Sequence, residues 1–131
     1  MGSLMYLIDS NVVIDYLGRK LPSAGIILLN DVMDSAPRIS VITKIELLGF
    51  RTEKKHLQLL QNFVRDVRIL ELTNEVTEAS IQIRQHTRLK LPDAIIAATA
   101  LVHELILLTH NLADFKVVKG LQFVDPHQLK I

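Results

Sequence analysis

The chain has 131 residues, 49% of them apolar, which is long enough for one compact domain with a continuous core and too short for two. With no cysteine it has no disulfide, thiolate nucleophile or sulfur-ligated zinc, so any metal must be held by oxygen or imidazole, in keeping with a reducing cytoplasm. A formal net charge of +1 excludes a uniformly basic body that grips nucleic acid indiscriminately.

The start, MGSLMYL, lacks the basic opening and long apolar centre of a secretory signal, and Tyr6 stands where a myristoylation site wants Ser or Thr; Met1, Gly2 and Ser3 read as a cloning remnant. Residues 6–9 are a short apolar strand ending at a polar turn, and 12–17 continue with helical spacing until Gly18 stops them. Ser23 caps a second helix to about Met33, Ala36 and Pro37 break it, and 38–41 read as another strand, with Glu46 on the helix that follows.

From 53 to 64, Leu57, Leu60 and Val64 recur at intervals of three and four, and Leu59 and Phe63 form a second stripe beside them. So broad an apolar surface is expected to pack on two sides, with an exposed partner site as the other reading. Residues 67–72 read as a strand and 74–89 as a long helix capped by Thr73 or Asn74. Pro92 opens the next helix at its favoured first position, and Ala94, Ala97, Ala98 and Ala100 keep that helix thin. Segments 106–108 and 122–124 supply the last strands. The most lipid-like stretch, 94–108, is interrupted by His103 and Glu104 and falls short of the roughly 20 residues that span a bilayer, so no membrane segment is expected.

This alternation predicts a three-layer α/β/α sandwich with a mostly parallel central sheet, a single domain over 1–131, in which ligands gather beyond the carboxyl ends of the strands. Asp9 ends the first strand in MYLIDSNVVIDYL, with Ser10 and Asn11 in the same turn; Glu46 lies in SVITKIELLGF, Asp93 in KLPDAIIAATA and Asp114 in LLTHNLADF. Each acid also has a plain structural reading. Asp9 has the position of a helix cap, and Thr43 with Glu46 has the spacing of a capping box, which Asn111 and Asp114 repeat. Asp93 is the first-turn acid that a helix dipole favours. Four carboxylates brought together at strand and helix ends would repel strongly, and Mg²⁺ or Mn²⁺ is the usual remedy. Lys44, Arg51, Lys54 and Lys55 cluster around the Glu46 segment, and Arg84, Arg88 and Lys90 lead into Asp93; ordinary solvated helix faces account for both groups. The five histidines are scattered and read as surface or core filler.

In order, spacing and setting, these four segments resemble the motifs of the PIN domain, and within it the small ribonuclease toxins of the VapC type found in toxin-antitoxin pairs; nearly the whole chain is covered. The resemblance implies hydrolysis of RNA phosphodiesters, with Asp9, Glu46 and Asp93 holding Mg²⁺ or Mn²⁺. It implies Asp114 as a fourth catalytic acid, and Ser10, Asn11, Thr43, Thr109 and Asn111 as supporting polar groups. Many family members place an acid where this chain has Asn111, so whether Asp114 or Asn111 completes the site, and whether one ion or two bind, stays open. A VapB-type antitoxin seated in an apolar groove, and a homodimer, are the implied partners.

Two other readings compete: a non-toxin nuclease of the same fold, and a non-catalytic protein-binding module whose acids are caps. Phosphatases of the haloacid dehalogenase type need a second Asp where Asn11 stands, and an HExxH zinc peptidase needs His where Leu107 stands.

Overall fold

The computed structural model describes residues 4–131, and the reading of the first three as a cloning remnant falls outside it. Strand β1 (Tyr6–Ile8) leads into α1 (Ser10–Leu17) and α2 (Ser23–Asp34); β2 (Arg38–Ser40) leads into α3 (Val41–Leu48) and α4 (Lys54–Asp66). Then come β3 (Arg68–Leu70), α5 (Asn74–His86), α6 (Leu91–Val102), β4 (Ile106–Leu108), the short α7 (Leu112–Phe115), β5 (Phe123–Val124) and a single 3₁₀ turn, Pro126–Gln128. The strands form one sheet in the order β3-β2-β1-β4-β5, with every pairing parallel.

Alternation along each strand builds the three layers. Leu7 and Leu107 are fully buried on one face, where they meet Val76 and Ile83 of α5, Ala94, Ile96 and Ala97 of α6, and Phe115. Their neighbours Ile8 and Leu108 are buried on the other face with Val12 and Val13 of α1, Leu29 of α2, Leu47 of α3 and Phe63 of α4. Successive side chains of a strand point to opposite faces, so a run of adjacent apolar residues is what a sheet covered on both sides requires. Helix α6 is buried continuously from Ala94 to Ala100, and its small side chains let it lie close beneath the sheet. None of the helices described is long and apolar enough to cross a membrane.

Several local expectations are corrected. The cap of α3 is Ser40, whose side chain accepts the Ile42 N–H; Thr43 and Glu46 form no capping box, and Thr43 Oγ1 is buried with no hydrogen-bond partner. Ser40 wins because α3 starts immediately after β2, one turn earlier than Thr43. Asn111 makes no side-chain cap bond to α7. Helix α6 begins at Leu91, ahead of Pro92, and α5 ends at His86, where Thr87 takes an extended backbone. On α4, Leu60, Phe63 and Val64 are buried, but Leu59 is 48% exposed, so the second stripe is only partly covered by the core.

The chain end is pinned against α2 at Gly25, where a Cβ would collide with the Pro126 carbonyl oxygen, a backbone atom that cannot swing aside. Gly25→Ala is therefore expected to destabilise the protein by about 1–3 kcal/mol in urea unfolding, the usual cost of overpacking, although alanine is the better helix former. An unchanged midpoint would show that the 3₁₀ turn is free to shift.

Candidate active site

Sheet order decides where the acids meet. Between the central strands β1 and β4 the connectivity turns in opposite directions, and a parallel sheet opens a crevice at the carboxyl ends of such a pair. Asp9 follows β1 there and Thr109 follows β4. Asp9 N–H donates to Leu108 O (2.9 Å), stitching the two strand ends together.

Asp9 is only 6% exposed. Its Oδ1 accepts the Ser10 N–H at 2.9 Å, capping α1, and its Oδ2 accepts the Thr109 hydroxyl at 2.8 Å. It is a helix cap, and it faces the crevice. Burial pushes its carboxyl up to about 6, the two hydrogen bonds oppose the rise, and the charges of Glu46 and Asp93 add to it. Ser10 Oγ donates to Glu46 Oε1 at 2.6 Å, bringing α3 to the start of α1. Asp93, half-buried in the first turn of α6, is also raised, first by burial and then by the charges of Asp114 and Glu46, with Lys90 acting the other way. Asn111 Nδ2 donates to Asp114 Oδ2 at 2.7 Å, and Asn111 N–H donates to Thr109 Oγ1 at 3.0 Å. Asn11 Oδ1 accepts the His110 N–H at 3.4 Å, tying α1 to the same loop.

Carboxylates from four elements therefore meet at the crevice, Glu46 and Asp93 within range of Asp9, and Asp114 and Glu46 within range of Asp93. They are not drawn into a tight knot: among the described residues, no three of them bring an oxygen apiece within 4.8 Å of one another. The donor set is oxygen only, partly desolvated and short of positive charge, which fits a hard divalent cation with some of its waters retained. Thr43 lies one turn before Glu46 on the same side of α3, and its unpartnered hydroxyl bonds to none of the acids.

The sequence reading missed a second polar cluster at the same end of the sheet. His110 and His127 are not filler. Asp125, 5% exposed, receives both imidazoles, while His127 also reaches Asp15 of α1. The only sequence signal is the Asp-Pro-His run after β5. Residues 15, 110 and 127 are too far apart along the chain for spacing to join them.

Comparison with known proteins places this geometry. The model of the PIN domain matches residues 6–121. Ribonuclease VapC10 of Mycobacterium tuberculosis is 32% identical over 126 residues, covering 90% of this chain and 91% of the relative. Among solved structures, a toxin-antitoxin complex from Klebsiella pneumoniae superposes with a TM-score of 0.73 at 29% identity, covering 95% of this chain and 99% of the other. A DNA-bound VapBC from Salmonella typhimurium reaches a TM-score of 0.78 at 22% identity, covering 95% and 99%, a likeness of fold. The family match over most of the chain and the acids gathered at the crevice agree: the chain belongs to the PIN domain family.

Proposed function

We propose that the chain is a divalent-metal-dependent ribonuclease acting as the toxin of a toxin-antitoxin pair in the cytoplasm. The observation that carries this is the convergence of Asp9, Glu46, Asp93 and Asp114 on one crevice, so that each of the two raised carboxyls feels other members of the set. The ribonuclease named among its relatives and the toxin-antitoxin complex among its structural neighbours support the same reading.

Asp9, Glu46 and Asp93 are the residues that would hold Mg²⁺ or Mn²⁺. When bound, the cation neutralises phosphate charge and makes water a better nucleophile near neutral pH. The chain does the rest. Ser10 and Thr109 fix both oxygens of Asp9, and the Ser10 hydroxyl aims Glu46. Asn111 holds one oxygen of Asp114, leaving the other to accept the proton of the attacking water. Asn111 and Asp114 thus act as a pair rather than as alternatives. Arg88 and Lys90 line a cleft of about 200 Å³ with Asp114 and supply positive charge for the RNA backbone beside the acids.

An antitoxin segment fits a second cleft, of about 370 Å³, walled by Ile14, Leu17, Phe50, Leu59 and Leu60. Leu59 and Phe50 are about half exposed there. A second copy of the chain fits the broader groove between α5 and α6, where Leu72, Ile81 and Leu91 are exposed.

Asp9→Asn and Asp93→Asn should each lower Mg²⁺-dependent cleavage of a mixed RNA pool by on the order of a hundredfold or more while circular dichroism stays native. Retained metal-dependent activity in either purified variant would refute the assignment. The raised carboxyl of Asp9 also fixes a pH dependence. Its stabilising effect is complete below the unfolded value near 3.8 and is lost as pH rises through about 6, a cost on the order of 3 kcal/mol to the metal-free fold at pH 8. In urea titrations without metal, Asp9→Asn should therefore be more stable than the wild type at pH 8 and converge with it near pH 4, and added Mg²⁺ should narrow the gap at pH 8. For the partner cleft, Leu59→Asp should weaken binding of a VapB-type antitoxin by about tenfold or more in sedimentation, with cleavage intact; unaltered binding would remove the antitoxin from that cleft.

A further inference from the structure

We infer that His110, Asp125 and His127 form a second metal site, selective for zinc-like transition ions, with Asp15 as the group that orients it. The acid crevice offers only oxygen, whereas this cluster offers two imidazoles and one carboxylate. Among the described residues it is the one His, Asp and Glu group whose ligand atoms all lie within 4.8 Å of one another.

The geometry is built rather than incidental. Asp125 closes β5 and caps the 3₁₀ turn, its Oδ1 accepting the His127 N–H at 2.9 Å, which fixes the carboxylate between the two rings. His110 Nδ1 lies 2.9 Å from Asp125 Oδ2, and His127 Nδ1 lies 3.1 Å from Asp125 Oδ1. In a tetrahedral zinc site with metal–ligand bonds of about 2.0–2.2 Å, ligand atoms sit roughly 3.3–3.6 Å apart, so an ion is seated once one Asp125 oxygen turns between the two Nδ1 atoms and these gaps widen. The two rings stack with centroids 4.1 Å apart, and sharing an ion would spread them by about 1 Å.

Proton accounting points the same way. His127 Nε2 lies 2.7 Å from Asp15 Oδ2, so the proton on Nε2 is committed to a carboxylate. That leaves Nδ1 facing Asp125, a second group that only accepts. Either a second proton or a cation must fill that gap. A carboxylate on the far nitrogen is the arrangement that fixes the tautomer of a metal-ligating histidine and strengthens it as a donor. With both imidazoles in the neutral form that ligates a metal, one divalent ion would cancel the charge of the two carboxylates. Two nitrogen donors favour zinc over Mg²⁺, so the two sites would sort their ions by chemistry. The side chain of His110 is 54% exposed, which leaves the fourth position open to water.

The consequence falls on the neighbouring site. His110 sits between Thr109, which bonds Asp9, and Asn111, which bonds Asp114. A bound ion would join this loop to β5 and, through Asp15, to α1, bracing the supports of the acids.

Co²⁺ added to the full metal-free chain tests this through the visible d–d absorption of tetrahedral cobalt. The wild type and Asp93→Asn should both develop the band, saturating at one equivalent, with Zn²⁺ displacing the cobalt and excess Mg²⁺ leaving it. His127→Gln should lose the band. His110→Gln, at a half-exposed position that folding tolerates, should weaken cobalt binding tenfold or more, and Asp15→Asn about 10–100-fold. No band in the wild type, a band that survives in His110→Gln with undiminished affinity, or one that disappears in Asp93→Asn would overturn the assignment. The test is independent of RNA cleavage, so it stands or falls separately from the nuclease reading.

Discussion

The structure turns on a carboxylate in the wrong solvent. Asp9 is almost fully buried at the carboxyl end of the central strand, where two hydrogen bonds do not offset the loss of water and the charge of its neighbours. A fold tolerates such a group when its charge is neutralised, by a proton or by a cation, and the proposed Mg²⁺ or Mn²⁺ would do so here. The remaining features follow from keeping Asp9 there. Thr109 must come up on the adjacent strand, Ser10 must turn toward α3, and α6 must lie close enough for Asp93 to reach the rim. The unbroken buried run from Ala94 to Ala100 allows that last approach.

The two faces of the sheet divide the work. One core, built on Leu7 and Leu107, carries α5 and α6 and hence Asp93; the other, built on Ile8 and Leu108, carries α1 to α4 and hence Glu46. The acids therefore approach the crevice from opposite layers, and neither core alone would assemble the site. Clefts for other molecules lie outside this division: a basic one beside Asp114, an apolar one against α1 and α4, and a broad one between α5 and α6. Helix α1 contributes to both the acid crevice, through Ser10, and the apolar cleft, through Ile14 and Leu17.

The pattern of strands and helices was legible because adjacent apolar pairs such as Leu7–Ile8 and Leu107–Leu108 bracketed by helical spacing admit few other folds. Three of the four acids stand where the pattern put them, Asp9 before α1 and Asp93 and Asp114 in the first turns of α6 and α7, whereas Glu46 lies in the last turn of α3 rather than at its start. What escaped was set by contacts across long sequence separations. The Thr43–Glu46 spacing suggested a capping box, but Ser40 already occupied the cap because α3 begins directly after β2. Leu59 was expected in the core, yet α4 rotates Leu60, Phe63 and Val64 inward and leaves it half exposed. The histidines could not be paired from sequence at all: His110 follows β4, His127 follows β5, and only the adjacency of those strands, with Asp15 of α1 beneath them, makes a cluster.

The cation proposed for the acid crevice can be observed directly. Crystals of the full chain grown with Mn²⁺ and measured at the manganese absorption edge should show an anomalous peak bounded by Asp9, Glu46 and Asp93, with those carboxylates drawn closer together than in crystals grown with chelator. Manganese absent from that crevice, with the three side chains unmoved at saturating Mn²⁺, would contradict the account.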